Sequence, residues 1–117
     1  MPNNLSVNYL EIPSQNIPLT KTFFKNVFNW SFTDYGEDYV AFSTPEIEGG
    51  FYASSEASRV NKGAALIVFY SDNLAQTQSL IENANGIIVK PIFSFPGGRR
   101  FHFIEPGGSE FAVWSDK

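Results

Sequence analysis

The chain has 117 residues, carries 8 Lys and Arg against 12 Asp and Glu for a net charge of -4, and contains no cysteine. That balance disfavours attraction to phosphate backbones and anionic lipid surfaces, so nucleic acid is not an expected partner; the lack of thiols excludes disulfides, thiolate metal sites and thiol catalysis. With 43% hydrophobic residues, among them 12 Phe, 5 Tyr and 2 Trp, the composition is that of one folded core rather than a disordered segment.

In chain order, Met1-Pro2-Asn3-Asn4 lacks the basic and apolar regions of a signal peptide, and no apolar run approaches the roughly 18 residues that span a bilayer. The expected location is the cytoplasm, with no membrane contact. Val7 to Ile12 reads as a strand. Asn16-Ile17-Pro18 opens a helix, since Pro in the first turn sacrifices no hydrogen bond, and Ile17, Phe24, Val27 and Phe28 fall on one helical face. Asn29, which tolerates a left-handed conformation, ends it. Trp30 to Phe32, Tyr39 to Phe42 and Phe51 to Ala53 follow as short strands rich in aromatic and β-branched residues.

Ser54 to Lys62 is polar and reads as a connection, after which the same order returns. Ala64 to Tyr70 is a strand, Asn73-Leu74 opens a helix with Leu74, Thr77, Ile81 and Ala84 on one face, and Gly86 ends it. Ile87 to Phe95, Arg99 to Ile104 and Glu110 to Trp114 are the remaining strands. Asn29 and Gly86 lie 57 positions apart, as do the two helix starts, which marks an internal repeat. Phe42 and Pro45 match Phe103 and Pro106 at an offset of 61, so about four extra residues are expected in the second half, in a hairpin around Pro96-Gly97-Gly98. The expected fold is α+β: one domain over 1–117 made of two βαβββ modules, about 5–53 and about 63–117, joined by a linker of about 54–62. Curved sheets would surround a central cavity, with the helices outside.

Local phrases add to this order. Leu10-Glu11-Ile12-Pro13, Phe23-Phe24, Val27-Phe28-Asn29-Trp30, Gly49-Gly50-Phe51-Tyr52 and the closing run Phe103 to Trp114 through Glu105-Pro106-Gly107-Gly108 together resemble the vicinal oxygen chelate superfamily, the glyoxalase/bleomycin resistance protein/dioxygenase group. The resemblance implies paired βαβββ modules, a homodimer, and metal ligands of His, Glu or Gln type on the first and last strands of the modules. Carried onto this sequence, those positions are Tyr9, near Phe51, Leu66 and Ala112, and the chain has a single His. The expectation is therefore no metal and no cofactor.

Strand alternation from these positions selects the side chains facing the cavity: Tyr9, Glu11, Tyr39, Tyr70, Arg100, His102, Glu110 and Trp114. Phe101, Phe103, Phe111 and Val113 point the other way, to the helices. One reading is a metal-independent binder of an aromatic or cationic organic molecule, held by Tyr9, Tyr39, Tyr70, Arg100, His102, Glu110 and Trp114. Another is an enzyme of lyase, isomerase or dioxygenase-like type in which His102, with Glu11 or Glu110, moves a proton or builds a non-standard metal site. A third is a filled core in which Tyr9, Tyr70 and Trp114 pack on one another. Arg100 beside Arg99 also fits a solvated hairpin edge, and Gly97-Gly98 and Gly107-Gly108 fit turns rather than phosphate loops.

Overall fold

A computed structural model describes residues 2–117. The elements in order are β1 (Tyr9–Ser14), α1 (Ile17–Phe28), β2 (Ser31–Asp34), β3 (Tyr39–Ser43), β4 (Glu48–Ala53), a 3-10 turn (Val60–Lys62), β5 (Ile67–Tyr70), α2 (Leu74–Asn83), β6 (Ile87–Phe95), β7 (Gly98–Ile104) and β8 (Glu110–Ser115). They form two four-stranded sheets ordered β1-β4-β3-β2 and β5-β8-β7-β6. In each, the first strand runs parallel to the last and the other neighbours are antiparallel. This is the βαβββ pattern twice, as the repeat predicts, and the sheets remain open.

Matching local chemistry starts both helices. The Asn16 side chain accepts from the Leu19 N–H and the Asn73 side chain from the Gln76 N–H, satisfying one free donor of each first turn. Beside each cap a hydroxyl pair locks the entering strand to the helix: Ser14 with Thr20 and Ser71 with Thr77, both at 2.7 Å. The helix ends differ from expectation in one respect. Asn29 is left-handed (φ 60°), but in the second helix the left-handed residue is Asn85 (φ 73°), not Gly86. The repeat survives in the hydrogen bonds instead, since the Asn29 N–H reaches Phe24 O and the Gly86 N–H reaches Ile81 O. Gly86 is needed for space: a Cβ there would come within 2.4 Å of the Ile81 side chain.

Two strand starts are later than the residue types suggest. β1 begins at Tyr9 because its partner β4 begins opposite it at Glu48, leaving Val7 unpaired and 77% exposed. β5 is confined to Ile67–Tyr70 because its pairing with β8 begins at Ile67 and Phe111. The extra residues of the second half lie where expected, in the long β6–β7 hairpin turning at Pro96-Gly97, and β6 absorbs them with two register shifts, at Ile88/Lys90 and Lys90/Phe93.

The helix-facing side chains of both sheets join one core. Ile12, Val40, Phe42 and Phe51 come from the first sheet, and Phe101, Phe103, Phe111 and Val113 from the second. Helix α1 ties them together: the Phe24 ring lies 5.3 Å from Phe51 and 5.2 Å from Phe111, and Phe28 stacks on Phe69 at 4.1 Å. The connecting segment is pinned rather than loose. Arg59 donates from Nε to Gly108 O at 2.6 Å, and the Ser58 N–H donates to Ser109 Oγ at 3.1 Å.

Candidate functional site

The faces turned away from the core can be compared through the strand register. Glu11, Gly50 and Ala41 are neighbours in the first sheet, and Val68, Ala112 and His102 in the second. By the same pairing Tyr39 and Tyr52 correspond to Arg100 and Trp114, and Glu48 corresponds to Glu110. Phe51, placed near a ligand position by the sequence, instead faces the helix: it is fully buried and stacks on Phe24. The residue on the outward face is its neighbour Gly50, because a strand sends alternate side chains to opposite sides.

On the first sheet, three predicted residues form one hydrogen-bonded chain. Tyr39 Oη donates to Glu11 Oε2 at 3.0 Å and lies 2.6 Å from Tyr9 Oη, so Tyr9 supplies the proton between the two hydroxyls. Gly50 makes this possible, since the Tyr39 ring crosses the place a Cβ would occupy. Burial, together with the bonds to Tyr9 and Glu11, raises the Tyr39 hydroxyl above the ordinary phenol range and keeps it protonated.

On the second sheet His102 is 3% exposed and its Nδ1 lies 2.9 Å from Glu110 Oε2, while Glu110 Oε1 accepts from the Val60 N–H. An ionised carboxylate only accepts, so with Glu110 ionised this geometry puts a proton on Nδ1; His102 Nε2 is buried without a partner among the described residues. Phe93 sits 6.0 Å from the imidazole, and the Arg100 guanidinium lies over Phe93 and Phe95 at 5.4 and 5.7 Å. Tyr70 meets Trp114 edge-on at 5.2 Å and donates to Asp116, which raises its own pKa and lowers that of Asp116. Tyr9 belongs to the other sheet's cluster, so the trio Tyr9, Tyr70 and Trp114 does not pack together.

The eight predicted residues therefore fall into two groups rather than around one enclosed cavity. Tyr9 lines an open concavity of about 380 Å³ on the first sheet, and Tyr70 lines an apolar cleft of about 620 Å³ with Trp30, Phe42 and Ile67. Glu11 and Glu110 meet in a small pocket of about 140 Å³ where β1 faces β5. Tyr39, Arg100, His102 and Trp114 line none of these. Glu11 bonds to Tyr39, not His102.

One buried polar group lies outside these candidates. Glu105, 1% exposed, accepts from Thr20 Oγ1 at 2.8 Å and from the Gly107 N–H through the same oxygen, while its Oε2 has no partner among the described residues. Burial pushes its carboxyl up to about 7, against hydrogen bonds from Gly107, Thr20 and Ser109 that favour the ionised form.

The family model for the Glyoxalase/Bleomycin resistance protein/Dioxygenase superfamily matches residues 6–113. The chain belongs to that superfamily. Among solved structures it is similar to a fosfomycin resistance protein, FosX, from Listeria monocytogenes in complex with Mn(II) and a dihydroxypropylphosphonic acid: TM-score 0.78, 14% identity, 94% of this chain and 89% of that one covered. A glyoxalase/bleomycin resistance protein/dioxygenase family enzyme from Burkholderia phytofirmans PsJN gives a TM-score of 0.77 at 13% identity, covering 94% and 98% of the two chains. A lactoylglutathione lyase from Agrobacterium tumefaciens gives 0.71 at 15%, covering 97% and 96%. No curated protein sequence matches. These likenesses establish a shared fold.

The superfamily's metal site does not fit the residues present. Of the positions carried over from the resemblance, Gly50 (in place of Phe51), Leu66 and Ala112 offer no side-chain donor, and the space over Gly50 is taken by Tyr39. Among the described residues no group of three or more His, Cys, Asp or Glu gathers around one point, and no helix is long and apolar enough to cross a membrane.

Proposed function

We propose that this chain is a metal-independent, glyoxalase/bleomycin-resistance-like binder of small organic molecules with aromatic or cationic character, acting as a homodimer in the cytoplasm. The observation that carries the reading is that Gly50, Leu66 and Ala112 leave the ligand positions without side-chain donors while aromatic and carboxylate groups occupy other positions on the outward sheet faces. Tyr9, Tyr39 and Glu11 are linked on one sheet, Tyr70 and Trp114 on the other, and Glu11 and Glu110 meet between them. Aromatic faces attract flat rings and cations, and carboxylates pair with protonated amines, without any metal. Arg100 and His102 complete the proposed contact set.

Titration of chelator-treated protein with a planar aromatic cation such as proflavine, followed by tryptophan fluorescence, tests this. Saturable quenching that weakens in Trp114→Phe is expected. Binding that appears only after Mn²⁺ or Zn²⁺ is restored, or no binding, would sink the proposal.

A second reading, proton-transfer catalysis, is favoured by the His102–Glu110 pair: Glu110 orients the imidazole and leaves Nε2 as the acceptor. That Nε2 is buried, so a substrate must open the surrounding packing to reach it. Turnover of a bound ligand that stops in His102→Gln while binding persists supports this reading; turnover unaffected by the change removes it.

A further inference from the structure

The outward face of the first sheet is a surface of oxygen atoms. Across the four strands one row reads Tyr9, Glu48, Ser43, Ser31 and the next reads Glu11, Gly50, Ala41, Thr33. Neither row contains a nitrogen-bearing side chain. Tyr35 continues the β2 alternation beyond Ser31 and Thr33, and with Tyr9, Ser43 and Glu48 these residues line the concavity of about 380 Å³, a size within the roughly 300–1,000 Å³ of small-molecule sites. Ala41 keeps its part of the face shallow, and the Tyr39 ring covers Gly50.

The polar groups here are not equivalent in what they have left to offer. Glu11 is engaged by Tyr39, and Tyr9 spends its only proton on Tyr39, which leaves the Tyr9 oxygen able only to accept. Glu48 has no ion-pair partner among the described residues, whereas its counterpart Glu110 is held by His102 and the Val60 N–H. Ser31, Thr33 and Ser43 can donate or accept. The face therefore asks for a ligand rich in donors, carrying positive charge opposite Glu48 and hydroxyls opposite the β2–β3 hydroxyls. A phosphonate or carboxylate would meet two carboxylates and no cation.

We propose that this face binds a polyhydroxylated amine of the amino-sugar class. The protonated amine pairs with Glu48 and donates to Tyr9, the sugar hydroxyls bond to Ser31, Thr33 and Ser43, and the ring lies against the exposed Tyr35. The inference rests on the small-molecule-binding reading above and gives it a ligand class and a place.

The test is calorimetric titration with the glucosamine disaccharide, its N-acetylated counterpart, glucose 1-phosphate, proflavine, and Ca²⁺ or Mn²⁺ alone. The amine form is expected to bind at least about tenfold more tightly than the acetylated form, and Glu48→Gln to remove that preference, the size of effect of one charge-assisted contact. Glu48 is exposed, so the variant keeps the fold, which an unchanged thermal melt checks. Equal binding of the two disaccharides, preference for the phosphorylated sugar, or a divalent ion binding alone and lost in Glu48→Gln would each overturn the inference. Proflavine bound without any amino-sugar binding overturns it while leaving the broader reading in place; neither bound sinks both.

Discussion

Glu48 and Glu110 open the closing strands of two units built on one plan, yet one stands unpaired by any cation among the described residues and the other is held by an imidazole and a backbone N–H. The contrast extends across both faces. Tyr39, whose ring lies over Gly50 in the first sheet, corresponds to Arg100, whose guanidinium lies over Phe93 and Phe95 in the second. On the core side the same pairing sets Val40 with Phe101, Phe42 with Phe103, and Phe51 with Val113, all apolar and buried. Positions packed under a helix have one acceptable chemistry, whereas outward positions are free to diverge, so the repeat preserves the core and specialises the faces separately.

Substitution at Phe24 should break the symmetry most. Its ring touches both sheets, while its repeat counterpart Ile81 is buried under its own helix, so Phe24→Ala is expected to cost about 3–5 kcal/mol in urea unfolding, and more than Ile81→Ala. An equal or larger loss at Ile81 would mean that the two sheets do not share a core through α1.

Glu105 distinguishes the otherwise matched Ser14–Thr20 and Ser71–Thr77 pairs, since only the first is joined by a carboxylate. With its pKa raised from 4.5 to about 7, the folded chain holds a proton that the unfolded chain releases over that interval. Its contribution is complete below about pH 4.5 and is lost as pH rises to about 7, a total of about 3 kcal/mol. Glu105→Gln should flatten this part of the stability–pH curve; a wild type that gains stability relative to the variant over the same range would reverse the assignment.

Gly50→Ala gives the smallest of these effects, about 1–3 kcal/mol, because the new methyl must push the Tyr39 ring aside. Thermal melts together with tyrosine absorbance would register it, and an unchanged melt and spectrum would show that Tyr39 does not lie over Gly50.

Much of this architecture is legible in residue order alone. Asn16 and Asn73 announce helix starts because a short polar side chain can cap, and the Phe101, Phe103, Phe111, Val113 alternation assigns faces because β7 and β8 pair without a break. The same logic fails at Gly49-Gly50, where two residues without side chains carry no alternation, and the phase slipped onto Phe51. It fails again along β6, whose two register shifts change which residues share a face and bring Phe93 over His102. Glu105 was hidden for another reason: a carboxyl in a Pro-Gly-Gly turn reads as surface, and only the packing of α1 against that turn buries it. The division of the candidate residues into two faces likewise depends on how the sheets meet, which no local pattern encodes.

The bulged β6 has a consequence at the rim of the molecule. An outermost strand presents unpaired N–H and C=O groups to any other chain, and long straight ones recruit further strands. Here β2, at one edge of the first sheet, is only four residues long, and β6, at one edge of the second, is long but broken by its register shifts and carries Lys90 and Pro91. Neither strand is a good template for runaway polymerisation, so an aromatic-rich chain of this size is protected from fibre growth at two of the four edges of its sheets.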